Sequence, residues 1–407
     1  MTTRNSDQAV GGVRRIRSRW LGVGLVAVSA LLAAGCATGT DSSASPSPST
    51  SSAASFRIGL EAPLTGAQSE LGQGMLQGAQ LAAAQLNAKG GIRNQTVEIV
   101  AIDDAADPAT GIAAANDVVA DLDAVVGPYN SGVGLATLPI YIQAGLVPMR
   151  LTSADNTAGL GFTLQPMTSQ IAPTAGAAIS DWLKAGSVAI IYDSSADYTN
   201  QAATALRDNL AGRGVTVSAF VPIAPGQSSY AEALAQANAT APAVTYLATY
   251  FPEAAVMAKE LAAANSSSTC VADYSAFDNG FIANAGVAAA QRCDVLGVPA
   301  PSDFSGASAR VAEFQQEFGA PPNVWSPYTY DSVLLLADAV TRANSTDPQQ
   351  LSAALADTKG WTGWTGGVAF ESPSGNRVPS QVAVLNVNAD GQFTVNTDWV
   401  QATGFTY

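Results

Sequence analysis

Short apolar runs rich in β-branched residues alternate with alanine-rich stretches from Phe56 to about residue 300. This alternation is typical of βαβ units built around a mainly parallel sheet. One set of such units is followed by a second, which predicts two α/β halves in series. Strands are predicted at the start of RIGLEAPLTG and at VEIVAI, AVVG, LVPM, SVAIIYD, VTVSAF, VTYLA and CVA.

The stretches between these strands have helical composition, and the Gly90-Gly91 turn ends the first of them. Helices are predicted at 72–86, 109–119, 133–144, 202–210, 230–238 and 252–263, and beyond residue 300 at 307–318, 330–343 and 348–356. The remaining chain is rich in strands, with the segments GVAFES, QVAVLNV and GQFTV.

The first 35 residues have the pattern of an export signal. Four arginines between Arg14 and Arg19 precede the apolar stretch Leu21 to Ala34. That stretch is shorter than the roughly 20 residues that a membrane span needs. Export followed by cleavage is therefore predicted for residues 1–35.

The run LAAGC that ends at Cys36 resembles the lipobox of bacterial lipoproteins, in which the cysteine becomes the lipid-modified first residue. The alternative is an ordinary signal peptide with an incidental cysteine. Residues 37–55 are rich in Ser, Thr, Pro and Ala and contain no bulky apolar side chain. Such a segment cannot bury enough surface to offset its ordering entropy, so residues 36–55 are predicted to be a tether.

Composition excludes several classes of function. The chain has 407 residues, 18 basic and 32 acidic side chains, and no histidine. Without histidine, the usual Ser-His-Asp, Cys-His and His-zinc sites cannot form. Residues 36–407 carry a net charge of −18, because residues 1–35 hold five arginines and one aspartate. This charge argues against a nucleic-acid partner.

Cys270 and Cys293 remain as a pair once Cys36 is assigned to lipid. A disulfide is the simplest use of two cysteines in an exported protein, and two free buried thiols are the alternative.

Long segments of the chain resemble a known family. The segments are IGLEAPLTGAQSELGQGMLQGAQLAAAQLNAKGGIRNQTVEIVAIDDAADP, VVGPYNSGVGLATLPIYIQAGLVPM, IIYDSSADYTNQAATALRDNL, TYLATYFPEAAVMAKELAAA and GVAFESPSGNR. Their order and spacing resemble the branched-chain amino-acid (type I) substrate-binding proteins of ABC importers over nearly all of residues 56–400.

The resemblance implies an α/β fold of two lobes, each a mainly parallel sheet flanked by helices, joined by three crossovers. It places the N-terminal lobe at 56–167 plus 300–364 and the C-terminal lobe at 168–299 plus 365–407. A small ligand is expected in the cleft between the lobes, where helix N-termini point beyond the strand ends.

The same resemblance implies a set of ligand-binding residues. Ser131 opens a helix after AVVGPYN, where the family holds a ligand carboxylate, although a serine there also suits an N-cap. Thr152, Ser153 and Ala154 fall on the family's second anchoring loop. Tyr198 and Tyr250 match two tyrosines of the second lobe, and Leu71 replaces an aromatic residue that covers the ligand.

Departures from the family concern the ligand's ammonium group. The family's carboxylate in the second lobe aligns with Tyr274, with Asp273 adjacent, and a second acid aligns with Thr168 or Ser169. We therefore hypothesise a carboxylate or amide ligand that lacks a free α-ammonium. Arg150, beside the anchoring loop, is expected to be an exposed charge at a strand end, with a carboxylate partner as the alternative.

The function implied is that of an extracytoplasmic lipoprotein that captures a small polar ligand, an amino acid or a carboxylate or amide related to one, by hinge closure and delivers it to an ABC permease in the membrane. The alternative is a lipoprotein that senses the ligand and reports to a membrane signalling partner. We expect no catalysis, no cofactor and no metal. Membrane attachment is expected through lipid on Cys36 alone.

Overall fold

A computed structural model describes residues 55–405. The predicted signal peptide, Cys36 and nearly all of the predicted tether lie outside the described residues. Among the helices of this described part, none combines the length and the apolarity that a membrane span requires.

The first sheet has four parallel strands. They are β1 (Phe56–Ala62), β2 (Val97–Asp103), β3 (Ala124–Val126) and β4 (Pro148–Met149), in the order β2-β1-β3-β4. The helices that connect its strands are α1 (Ser69–Ala88), α2 (Pro108–Val118) and α3 (Ser131–Gln143).

The second sheet has seven strands and is parallel except at one edge. Its five parallel strands are β5 (Ser187–Asp193), β6 (Thr216–Ile223), β7 (Val244–Ala248), β8 (Thr269–Ala272) and β9 (Cys293–Gly297). Short hairpins come next along the chain: β10 (Trp361–Gly363) with β11 (Gly366–Val368), and β12 (Phe370–Glu371) with β13 (Asn376–Arg377). The antiparallel strands β14 (Ala383–Val387) and β15 (Phe393–Val395) then complete the order β15-β14-β9-β8-β7-β5-β6.

The remaining helices follow the same chain order. They are α4 (Thr168–Ala177), which continues as a π-helical turn at Ala178–Trp182, α5 (Asp197–Gly212), α6 (Ala231–Asn238), α7 (Phe251–Ala263), α8 (Asn279–Ala285), α9 (Val287–Ala290), α10 (Ser308–Phe318), α11 (Ser326–Ala343), α12 (Pro348–Ala356) and α13 (Thr397–Thr403).

The chain passes between the two halves three times. It leaves the first sheet after β4 and returns when α11 packs on α1, where the Thr329 hydroxyl donates to the Met75 carbonyl at 2.7 Å. A Cβ on Gly78 would collide with the backbone of Ser326, so glycine permits this close packing. The chain finally re-enters the second sheet at β14. The predicted pair of mainly parallel sheets is confirmed, and the exact lobe boundaries stay a prediction.

Several elements differ from the sequence prediction, and the helices α8, α9 and α13 and the strand β10 were not predicted. Helix α4 was not predicted, because Pro173 in its middle removes a backbone donor and opposes a helix. Strand β9 was also not predicted. The strand segment predicted at GVAFES is divided in the structure: the chain changes partner at Ala369, so β11 pairs with β10 and β12 pairs with β13.

The predicted disulfide is confirmed. Cys270 on β8 and Cys293 on β9 are direct partners across the two parallel strands and are bonded, with their Cα atoms 4.5 Å apart. The bond therefore joins neighbouring strands inside the second sheet.

Two fully buried carboxyl groups lie at the strand ends of the first sheet. Glu61 ends β1 and accepts a hydrogen bond from the Thr137 hydroxyl at 3.0 Å, and Asp104 follows β2. Burial raises the pKa of Asp104 to about 7. Burial, and then the charge of Asp104, raise the pKa of Glu61 well above its ordinary value.

These pKa values predict a fall in stability as the pH rises from about 4 to 7. In the unfolded chain a carboxyl group titrates near pH 4, so over this interval the folded chain binds more protons than the unfolded chain. The melting temperature should therefore be lower at pH 7.5 than at pH 5, and Asp104→Asn should reduce the difference. Asp117→Asn, at an exposed position, is the matched control and should leave the difference unchanged. A melting temperature that rises over the interval would contradict this assignment.

Candidate functional site

A small, nearly closed cavity of about 10 Å³ brings together five of the nine predicted ligand-binding residues. All of its lining residues are buried: Tyr129, Ser131, Leu151, Ser153, Tyr198, Tyr250 and Tyr274. The first four of these residues follow β3 or β4 of the first sheet, and Tyr198, Tyr250 and Tyr274 follow strands of the second sheet. The cavity is therefore formed by both halves of the chain.

The parallel sheets explain this convergence. Ser131 is the first residue of α3 after β3, Tyr198 lies in the first turn of α5 after β5, and Tyr250 immediately precedes α7 after β7. Because parallel strands end at the same edge of their sheet, the residues that follow them meet there. Residues that are far apart in sequence thus line one site.

The Ser131 side chain organises a set of hydrogen-bond donors. Its Oγ accepts the backbone N–H groups of Ser153 at 3.3 Å and Ala154 at 3.1 Å. Helix α3 begins at the same residue, and its N-cap Asn130 makes no side-chain capping bond. Two loop N–H groups, a hydroxyl and the positive end of a helix therefore converge, which suits an anion.

The cavity lining does not include four predicted residues: Thr152, Ala154, Leu71 and Asp273. Thr152 is buried and its hydroxyl bonds with that of Thr157 at 2.7 Å. Ala154 is buried and reaches the site through its N–H group alone. Leu71 is fully buried on α1, in the core. Contact of these residues with a ligand stays a prediction.

Aromatic rings form most of the cavity wall and its backing. Trp325 is fully buried behind the wall, with its ring 5.3 Å from that of Tyr129 and 5.5 Å from that of Tyr274. Burial raises the pKa of Tyr129, Tyr198 and Tyr274 well above the ordinary tyrosine value. These phenols are therefore neutral and keep a proton to donate. The Tyr198 hydroxyl is buried and has no hydrogen-bond partner among residues 55–405.

Both carboxylate oxygens of Asp273 already accept hydrogen bonds from residues of the second half of the fold. One oxygen accepts the Tyr246 hydroxyl at 2.5 Å, and the other accepts the Ser275 N–H at 3.1 Å and its hydroxyl at 3.0 Å. Tyr274 lines the cavity in its place. No acidic side chain is therefore among the residues that line the cavity.

The two positions aligned with the family's second acid, Thr168 and Ser169, also have their side-chain hydroxyls hydrogen-bonded to neighbouring groups. The Thr168 hydroxyl donates to the Ser153 carbonyl at 3.0 Å, and the Ser169 hydroxyl donates to Asp155 at 2.8 Å. Thr168 therefore supports the anchoring loop from behind, whereas Ser169 is tied to Asp155.

Sequence reasoning missed Tyr129, Leu151 and Gln165. Tyr129 and Leu151 flank predicted residues at the ends of β3 and β4, so the strand-end rule would have found them. Gln165 is fully buried, and its Oε1 accepts the hydroxyls of Ser153 and Tyr274, each at 3.2 Å. Its Nε2 has no partner among residues 55–405. No sequence signal marks this residue.

The expectation for Arg150 is wrong. Its side chain is fully buried, not exposed, and none of the ion pairs among residues 55–405 includes it. The guanidinium donates instead to neutral acceptors, the shortest bond being 2.6 Å to Asn376 Oδ1. Residues 374–376 follow β12, more than 200 residues further along the chain. This distant segment helps to bury the Arg150 side chain, and the sequence around Arg150 does not indicate that contact.

A wider opening of about 410 Å³ adjoins the cavity and shares Tyr250 with it. Asp193, Asp197 and Glu253 lie along this opening. Within residues 55–405, no group of three or more His, Cys, Asp or Glu side chains is arranged to hold a metal ion.

Comparisons with known proteins agree with this architecture. Residues 55–392 match the family described as periplasmic binding protein. The Leu/Ile/Val-binding protein homolog 2 of Brucella abortus is 27% identical over 333 residues, which cover 79% of this chain and 87% of that protein.

Two solved structures show the same fold. The branched-chain amino acid transporter substrate binding protein of Streptococcus pneumoniae, solved with isoleucine, gives a TM-score of 0.76 at 21% identity, covering 84% of this chain and 99% of that one. A solute binding protein of an ABC transporter from R. palustris, solved with benzoate, gives a TM-score of 0.75 at 20% identity, covering 84% and 95%.

The type I fold of two lobes that the resemblance implied is therefore confirmed. The family match extends over most of the chain and includes every residue that lines the cavity. This chain belongs to the periplasmic binding protein family.

Proposed function

We propose that this chain is the solute-binding component of an ABC importer and that its ligand is a small carboxylate without an α-ammonium group. One observation carries the ligand class: the cavity lining presents hydroxyl groups, among them that of Ser131, whose oxygen already accepts two backbone N–H groups and whose proton is left to donate, but it contains no carboxylate. This donor set complements a ligand carboxylate.

An amino-acid zwitterion fits this cavity poorly. Its ammonium group would be desolvated without an acidic partner, and an unpaired buried charge costs several kcal/mol. Asp197 and Asp273 each directly precede a tyrosine of the cavity wall. Asp197 lies along the wider opening and not in the cavity lining, and both oxygens of Asp273 already accept hydrogen bonds. Releasing it would leave the Tyr246 hydroxyl and the Ser275 N–H without their acceptors.

The cavity wall also limits the character of the ligand. The cavity is nearly closed, because its volume of about 10 Å³ is room for about one water molecule, so a ligand enters only when the lobes lie further apart. Tyrosine rings and Leu151 form the wall, which favours a compact apolar or aromatic body beside the carboxylate. Structural relatives were solved with isoleucine and with benzoate, and the second of these has the proposed chemistry.

Capture is proposed to occur by hinge closure. Ligand contacts with residues of both sheets favour the closed arrangement of the lobes, and this form docks on the permease. No covalent step is involved, and the ligand is released unchanged. We further propose that lipid on Cys36 anchors the exported chain to the membrane, as the LAAGC run suggests.

Matched pairs of ligands test the proposal. Leucine and 4-methylpentanoate differ by the ammonium group alone, as do phenylalanine and 3-phenylpropanoate, and benzoate is added as a compact aromatic acid. The protein is unfolded and refolded to remove co-purified ligand and is then titrated by calorimetry. We expect a member of the carboxylate set to bind about 100-fold more tightly than its amino acid. Binding of leucine, isoleucine or valine with micromolar or better affinity would contradict the proposal.

A further inference from the structure

Arg150 is a buried cation that makes no ion pair with any described carboxylate. Its Nη1 donates to the Thr152 carbonyl at 3.2 Å, to Thr152 Oγ1 at 3.4 Å and to Met167 Sδ at 3.3 Å. Its Nη2 donates to the Ser374 carbonyl at 3.3 Å and to Asn376 Oδ1 at 2.6 Å. All five acceptors are neutral, and Nε has no partner among residues 55–405.

The side chain remains charged at neutral pH. Burial lowers the pKa of Arg150 to about 10, and the charge of Asp155 opposes this shift. Asp155 is not within ion-pair distance and already accepts hydrogen bonds from Ser169. A buried charge without a counter-ion is costly, so an anion that binds nearby is stabilised by it.

One peptide group connects Arg150 to the ligand cavity. The Thr152 carbonyl accepts the bond from Arg150, and the N–H of that same peptide belongs to Ser153 and donates to Ser131 Oγ at 3.3 Å. The hydrogen bonds therefore run in series from the guanidinium through the peptide to the serine hydroxyl at the cavity wall. Bonds in series polarise one another, and the low-dielectric surroundings strengthen the effect.

We propose that Arg150 is a specificity-determining residue that acts through the Thr152–Ser153 peptide to favour a negatively charged ligand at Ser131. This inference rests on the proposed function, because it requires that the ligand carboxylate lie at Ser131. Arg150 is not among the residues that line the cavity, and its described hydrogen bonds reach none of their side chains, so it is a positioning residue.

A merely structural role is the competing explanation. Arg150 also joins the anchoring loop to residues 374–376, and loss of this tie would loosen the site for every ligand. Asn376→Ala removes the shortest of these bonds and keeps the charge, so it is the matched control. The ratio of carboxylate affinity to amide affinity distinguishes the two roles, because benzoate and benzamide have the same shape and differ in charge.

The experiment measures dissociation constants for benzoate and benzamide, and for 4-methylpentanoate and its amide, in the refolded wild type and its variants. We expect Arg150→Gln to weaken carboxylate binding by about 10-fold to 100-fold and amide binding by less than about threefold. Arg150→Met serves if the glutamine variant does not fold, because it also removes the charge and keeps an unbranched side chain. Arg150→Lys and Asn376→Ala should keep the carboxylate-to-amide ratio near that of the wild type.

The outcomes distinguish the two proposals. If the wild type binds a carboxylate, and the ratio is unchanged in Arg150→Gln and Arg150→Met, the inference is overturned and the proposed function stands. An equal loss of carboxylate and amide binding also overturns the inference, and it assigns Arg150 a structural role. If the wild type binds neither carboxylate, the proposed function fails, and the inference fails with it.

Discussion

Ser131→Asp is expected to abolish carboxylate binding while the protein stays folded. The new carboxylate would lie at the first residue of α3 and accept the Ser153 and Ala154 N–H groups that Ser131 Oγ now accepts. It would thus occupy the proposed place of the ligand carboxylate and repel it. An acid at a helix N-terminus is favourable, so the melting temperature should change little. Calorimetric titration with the best carboxylate of the panel measures the loss.

Two further variants are the controls for this result. Ser131→Ala removes the hydroxyl without adding charge and should weaken binding by about 10-fold to 100-fold, the usual effect of losing one hydrogen bond to a charged group. Ser308→Asp places the same substitution at the first residue of another helix, α10, at an exposed position, and should bind like the wild type. Undiminished binding by Ser131→Asp would show that the ligand carboxylate does not lie at Ser131.

Asp331→Ala is expected to lower the free energy of unfolding by about 3–5 kcal/mol, because it leaves buried donors of Trp364 and Thr365 without their acceptor and removes the negative charge near the buried Arg377. Asp331 on α11 is fully buried and accepts the Trp364 N–H at 2.8 Å, the Thr365 N–H at 2.6 Å and the Thr365 hydroxyl at 2.7 Å. Arg377 donates to the same hydroxyl at 3.1 Å. Urea denaturation measures the change.

Asp338→Ala is the matched control on the same helix. Asp338 forms an (i, i+4) ion pair with Arg342, and both side chains are more than one-third exposed. Such a surface pair contributes at most about 1 kcal/mol. Equal destabilisation by the two variants would mean that the buried network around Asp331 does not hold α11 to the segment that follows β10.

Strand-end rules explain why much of the site was predictable. Ser131, Ser153, Tyr198, Tyr250 and Tyr274 each lie in or next to a strand-to-helix connection, and a parallel sheet brings such connections to one edge. The alternation of apolar strands and alanine-rich helices is a local signal, so it indicated the sheets correctly. The family resemblance then selected which strand-end residues to consider.

Long-range contacts account for what the sequence did not predict. The burial of Arg150 depends on Ser374 and Asn376, more than 200 residues away along the chain. Gln165 joins Ser153 to Tyr274, and nothing in its sequence neighbourhood indicates that contact. Whether Asp273 or Tyr274 faces the cavity is decided by the hydrogen bonds that Asp273 makes with Tyr246 and Ser275.

These contacts change the interpretation of the ligand. The sequence left open a one-residue shift that would return a carboxylate to the site through Asp273. In the structure both oxygens of Asp273 are engaged, and a tyrosine that stays neutral lines the cavity. The hypothesis of a ligand without an α-ammonium group therefore gains a physical basis that alignment alone did not give it.

A crystal structure of the refolded protein with the tightest-binding carboxylate of the panel tests the central claim most directly. We expect the carboxylate oxygens within hydrogen-bond distance of Ser131 Oγ and of the Ser153 and Ala154 N–H groups, with the apolar body against Tyr198, Tyr250 and Tyr274. Asp273 should keep its bonds to Tyr246 and Ser275. A ligand bound outside this cavity, or an amino acid whose ammonium group is paired with a reoriented Asp273, would contradict the account.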